Sequence, residues 1–160
     1  MAALWPAATG DLGNRLAVAI TALRRGVDPD RQHPTDWVVV SRSGMVSLDL
    51  SHVEVDVVEF TATAQCGLRL AAAGRTATAR SVMEAAVRAH HGQFLPEETY
   101  EDWSIPAREQ DQELLARSLC SLGDLAAADG AADLAYDYAH RALAERPSHP
   151  QALALLDRLG

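Results

Sequence analysis

Six histidines, two cysteines and 22 carboxylates are the residues of this 160-residue chain that could do chemistry, and their spacing decides which kind. His90 and His91 are adjacent. On a helix, neighbouring side chains point about 100° apart, so the pair is poorly placed to share one metal ion. His52, Glu54 and Asp56 alternate in a connecting segment, a weak arrangement for a closed ligand set. Cys66 and Cys120 form no Cys-x-x-Cys motif and read as reduced cytoplasmic thiols. There is no Gly-x-Ser-x-Gly, and no glycine-rich loop follows a strand to cradle phosphates. The paired acids Glu97-Glu98 read as a solvated loop. The expectation is no catalytic residue, no metal and no cofactor, hence no enzyme.

Aromatic residues are the scarcer signal. Phe94, Tyr100 and Trp103, three of only eight, cluster in an acidic connector, the stretch from Phe94 to Arg108 that carries Pro96 and Pro106. Large aromatics contribute heavily to burial, so a loop that carries three is expected to be docked. Charge is divided unevenly. Residues 1–50 balance five Arg against five Asp, whereas residues 51–160 hold nine Arg against 17 acids, so the whole net charge of −8 sits there. Such a body repels nucleic acid and suits protein partners, which confines any DNA contact to the first fifty residues. No apolar run is long enough to span a bilayer, the start lacks the features of a signal peptide, and a cytoplasmic location without membrane partners is expected.

The elements that must position these residues follow from periodicity. Leu12, Leu16, Ala19, Ile20 and Leu23 share one face of a helix over residues 11–25, stopped by Gly26 and Pro29. Trp37–Val40 and Met45–Leu50 read as a hairpin closed by Ser41-Arg42-Ser43-Gly44, with Val46, Leu48 and Leu50 on a packed face. From Asp56 onward the pattern is helical. Asp56 with Glu59 makes a capping-box pattern, and that helix runs to Gly74. Thr76 caps a second helix that ends near Gly92. A long helix runs from about Ile105 to Asp129 with Leu115, Leu119, Leu122 and Ala126 on one stripe. Gly130 breaks it, a fourth runs to Arg146, and Pro150 opens a fifth.

Two of these helical pairs share a frame. In a window from Ala116, Leu119, Leu122, Gly123, Ala126, Ala135, Ala139, Ala142 and Pro147 match the large and small positions of a tetratricopeptide repeat. A window from Phe60 matches more loosely through Gly67, Leu70, Ala79, Met83 and Ala86, with His91 where the closing proline would stand.

With the residues placed, nearly the whole chain resembles the bacterial transcriptional activator domain of antibiotic regulatory protein-type regulators. Tyr100-Glu101-Asp102-Trp103 followed by Pro106-Ala107-Arg108-Glu109, and Val55-Asp56-Val57-Val58-Glu59-Phe60 at the domain opening, carry that likeness. Upstream, Ala3-Leu4-Trp5-Pro6, Asn14-Arg15-Leu16 and Ala22-Leu23-Arg24-Arg25 resemble the end of a winged-helix DNA-binding domain. The fold class expected is mainly α: a tetratricopeptide-like helical repeat domain at 51–160, preceded at 1–50 by a partial winged helix of one helix plus a hairpin. Residues 11–25 would be the recognition helix and 37–50 the wing. By this resemblance the residues at 1–50 correspond to the end of the supporting helix onward, so the family's N-terminal sheet and first helix are not expected among them, and Ala22 stands where an arginine often does. The apolar stripe of the recognition helix is therefore expected to lose cover that normally contributes roughly 1.5–3 kcal/mol per large side chain.

The resemblance implies a transcriptional regulator, or a fragment of one, that acts by self-association or partner recruitment. On the exposed helix face Asn14, Thr21 and Arg25 would contact DNA, with Arg15, Arg24 and Arg42 as phosphate partners. Trp103, Glu101 and Asp102 of the connector, with Tyr136, Tyr138 and His140 of the second repeat, are candidates for protein contact. The partners implied are DNA, a second copy of the chain, or the transcription machinery. The competing expectation is a protein-only tetratricopeptide-like adaptor without DNA binding.

Overall fold

In the computed structural model, which describes residues 11–97 and 102–160, a carboxylate starts the first helix. Asp11 Oδ1 accepts the backbone N–H groups of Gly13 (3.0 Å) and Asn14 (3.1 Å), satisfying two donors that a helix start leaves open. Helix α1 spans Leu12–Val27 and closes where the Asp28 N–H donates to Arg24 O, just past the stop expected at Gly26. A hairpin follows, β1 (Val39–Arg42) and β2 (Met45–Leu48), antiparallel, with Val39 opposite Leu48 and Arg42 opposite Met45. That register leaves Ser43 and Gly44 as a two-residue turn in which both have positive φ, 52° and 78°. A turn of this hand matches the twist of the strands, and glycine takes one of its positions without steric cost.

Ile20, Val38 and Val39 form the small core of this first unit, with Leu16, Trp37 and Val53 packed against it. Leu23, on the apolar stripe expected to lose cover, is 55% exposed. One expectation fails here: Val46, Leu48 and Leu50, placed on a packed face, are 42%, 50% and 51% exposed. The reason is geometric. Within the hairpin α1 meets only β1, so Val39 comes under the helix and β2 does not. Leu4, Trp5 and Pro6, and Tyr100 and Glu101 of the connector, lie outside the described residues.

The described residues of the second unit, Asp56–Gly160, form five helices: α2 (Asp56–Ala72), α3 (Thr76–Ala89), α4 (Ile105–Ala128), α5 (Ala132–Glu145) and α6 (Pro150–Leu159). Asp56 Oδ1 accepts from the adjacent Val57 N–H at 2.7 Å. Thr76 opens α3 without capping it, since the cap position is Arg75. Helix α2 packs on α3, α4 on α5, α4 also on α2 and α3, and α6 on α5 and α4.

The repeat frame is visible in the turns. Gly74 N donates to Ala71 O and Arg75 N to Leu70 O. The same bonds recur in the second hairpin, from Gly130 N to Ala127 O and from Ala131 N to Ala126 O. Both glycines have positive φ, 74° and 77°, so each ends its helix in a conformation other residues adopt only with strain. The matched interior glycines do the same packing job. A methyl group on Gly67 would overlap the Met83 side chain, and one on Gly123 would overlap Leu155.

Helix α4 departs from its expected single stripe. Leu115, Leu119, Leu122 and Ala126 are buried as expected, but so are Leu114, Ala116, Ser118, Cys120 and Gly123. It carries apolar or small residues nearly all round because it is covered on two sides, by α2 and α3 and by α5 and α6. One continuous core joins both repeats, from Phe60, Met83 and Ala86 through Leu119 and Leu122 to Tyr138 and Ala152. The architecture is mainly helical and repeat-like, with a small hairpin ahead of it.

Candidate functional site

In the first unit, α1 sorts its polar side chains onto two faces. Asn14, Val18, Thr21 and Arg25 recur at helical spacing and line one open groove, with Ala17 and Ala22 between them. Asn14, Thr21 and Arg25 thus come together as expected, and Arg15 lies exposed beside them. The Thr21 hydroxyl donates to Ala17 O at 2.8 Å, so its oxygen rather than its proton faces outward chemistry. Arg24 does not join this face. Its Nε and Nη2 donate to Val39 O at 3.0 and 2.8 Å, tying the helix to the first strand. Arg42 sits on the hairpin, exposed and paired with Asp36 at 3.2 Å, and that bond holds the Asp36 carboxyl below its ordinary range.

In the second unit the predicted contact residues separate. Tyr138 is a core residue, 7% exposed, with Arg141 lying 5.6 Å from its ring centre. Burial, then the neighbouring Glu84 carboxylate, raises its phenol above the ordinary value. Tyr136 is half-buried and His140, one turn further, is exposed, so these two share the outward side of α5. Trp103 is 38% exposed on the connector and Asp102 is exposed.

Beneath that connector is a polar cluster that the sequence reading missed. Arg108, only 8% exposed, donates from Nε to Phe94 O (3.2 Å) and from Nη2 to Leu95 O (3.0 Å) and Ser104 Oγ (3.4 Å). Leu95 has φ 46°, a left-handed conformation that costs a non-glycine residue about 1 kcal/mol and persists where its surroundings hold it. The Arg108 fork does that holding. Beside it His90 Nε2 meets Asp111 Oδ2 at 2.9 Å, with both side chains almost fully buried, and the Phe60 ring packs edge-on against His90 at 4.7 Å. His91 turns away and is exposed. One local signal marked Arg108: an arginine in the first turn of a helix opposes the helix dipole and implies a partner elsewhere. Nothing local links His90 to Asp111.

A second, partly buried constellation has the order of a thiol triad. Cys120 Sγ lies 3.5 Å from His149 Nδ1, and His149 Nε2 lies 3.5 Å from Glu113 Oε1. The thiol is 2% exposed, and burial, then Asp124 and Glu113, push it up to about 11. Burial thus favours the neutral thiol, which is not the nucleophilic form. Among the described residues no three His, Cys, Asp or Glu side chains are grouped to hold a metal ion, and no helix is long and apolar enough to cross a membrane.

No curated protein matches the chain. The family model of the bacterial transcriptional activator domain matches residues 55–157. That span covers well over half of the chain, begins within one residue of α2 and takes in both helical pairs. The chain belongs to the bacterial transcriptional activator domain family.

Proposed function

We propose that this protein works as a transcriptional regulator in which the helical repeats associate with a second copy or recruit a partner, while α1 and the hairpin form the recognition helix and wing of a partial winged helix. The observation that carries the DNA half is the division of arginines on α1. Arg24 fastens the helix to β1, Asn14, Thr21 and Arg25 line one open groove, and Arg15 is exposed on the same helix. A helix held against a hairpin with its polar face outward suits a major groove, with arginines on the flanking phosphates.

The test is duplex DNA binding by the chain carrying Arg15→Ala and Arg25→Ala, with Arg24 left in place. Weaker binding across all DNA sequences is expected, and unchanged binding would remove the assignment. Leaving Arg24 alone matters, because its loss would disturb the α1–β1 junction as well as any phosphate contact.

A protein-only adaptor is favoured by a different observation, the nine Arg against 17 acids of residues 51–160. Tyr136, His140 and Trp103 are then the accessible aromatic contacts, and Tyr138 supports the repeat from within. Light scattering separates the association modes: a concentration-dependent dimer supports self-pairing, and a strict monomer counts against it.

A further inference from the structure

We propose that the cavity between the C-terminal end of α1 and the loop over residues 28–38 is a binding site for a small phosphate monoester. Its volume, about 300 Å³, lies at the lower end of the range for small-molecule pockets. Three guanidinium groups line it, from Arg24, Arg25 and Arg31. Arg24 uses Nε and Nη2 on Val39 O, which leaves its remaining nitrogen. Among the described residues neither Arg25 nor Arg31 has an acidic partner, although six of the other arginines have one.

The acid nearest at hand does not neutralise them. Asp28 accepts the backbone N–H groups of Gln32 (3.0 Å) and His33 (2.9 Å), bonds that close the loop and keep the carboxylate ionised and occupied. Three arginines against one Asp leave a net charge of +2 in the cavity, with His33 counted neutral. A phosphate monoester carries close to −2 near neutral pH, whereas a sulfate ester or a DNA phosphodiester carries one negative charge. Guanidinium forks are the donors best matched to phosphoryl oxygens.

The rest of the wall mixes apolar Val27, Pro34, Trp37 and Val38 with the hydroxyl residues Thr21 and Thr35. It suits a compact organic group on the phosphate. The Trp37 ring is already stacked on His33, with centres 3.7 Å apart and planes 17° apart, so it offers an edge and a firm wall on that side.

Isothermal titration of the full chain with phenyl phosphate tests this. One-site binding is expected, with phenyl sulfate clearly weaker. Arg31→Asn, which tolerates the left-handed φ of 54° at that position, should weaken phenyl phosphate by about tenfold or more, as should Arg25→Gln. Thermal unfolding of both variants should match the parent, since neither guanidinium holds the fold. Failure to saturate at millimolar concentration, equal affinity for the sulfate, or unchanged affinity in Arg31→Asn would overturn the proposal. The DNA reading is tested separately: Arg31→Asn should leave duplex affinity unchanged, and Arg15→Ala should leave phenyl phosphate unchanged. Phenyl phosphate binding without DNA binding supports this site and removes the other.

Discussion

Arg108 shows how one buried side chain can set a connector. Its donors reach two successive carbonyls, Phe94 O and Leu95 O, and hold Leu95 in a left-handed conformation. Hydrogen bonds from a charged donor are worth about 1.5–3 kcal/mol, and truncation strands their acceptors. Arg108→Ala is expected to cost about 2–3 kcal/mol in urea unfolding, and Arg108→Lys to recover little, because an ammonium lacks the fork. A loss below about 0.5 kcal/mol would mean the connector is held by something else. Cys120 makes a second residue-scale case. Burial, then the Asp124 and Glu113 carboxylates, push its thiol from the ordinary 9.0 up to about 11, so the folded state favours the neutral form. The stability from that preference is whole below about pH 9 and disappears as pH rises towards 11. Alkylation at neutral pH should label the half-buried Cys66 first and reach Cys120 only on unfolding, which mass spectrometry of the labelled peptides would read. Neither behaviour was legible in the sequence, because His149 and Glu113 reach Cys120 only through the fold.

Among the elements, the repeat was legible and the small unit only in part. The frame around Gly67 and Gly123 could be read because small residues at fixed spacing are demanded by close helix approach. The buried Ala79, Ala86, Ala135 and Ala142 occupy the matching places. Gly67→Ala therefore sets two effects against each other. Alanine is a better helix former by about 1 kcal/mol, but overlap with Met83 overpacks a full core, typically at a cost of about 1–3 kcal/mol. Met83 is itself fully buried and cannot swing out, so a net loss of about 1–2 kcal/mol is expected in denaturant midpoint, and a stabilised variant would refute the packing argument. The hairpin was legible, but its turn is tighter than expected: Ser41 and Arg42 pair within β1, which leaves Ser43-Gly44 as a two-residue turn with positive φ. The exposure of Val46 and Leu48 was not legible. Alternation identifies two faces of a strand, but only the neighbouring helix decides which face is covered, and α1 stops at β1.

At the scale of the whole molecule, charge is divided unevenly along the chain. The net of −8 arises from residues 51–160, so a DNA contact must be made by α1 and the hairpin against a repelling background. Of the candidate contacts, the Asn14–Thr21–Arg25 face was readable from helical spacing, whereas the diversion of Arg24 to Val39 O and the burial of Tyr138 needed the fold. The measurement that tests the central claim most directly is the salt dependence of duplex DNA binding, made on the parent chain and on the Arg15→Ala, Arg25→Ala variant. Each phosphate contact contributes about −0.9 to the slope of log affinity against log salt. The account predicts a negative linear slope for the parent and a slope shallower by about 2 for the double variant. Binding that is absent at about 50 mM salt, or equally salt-dependent in both proteins, would contradict it.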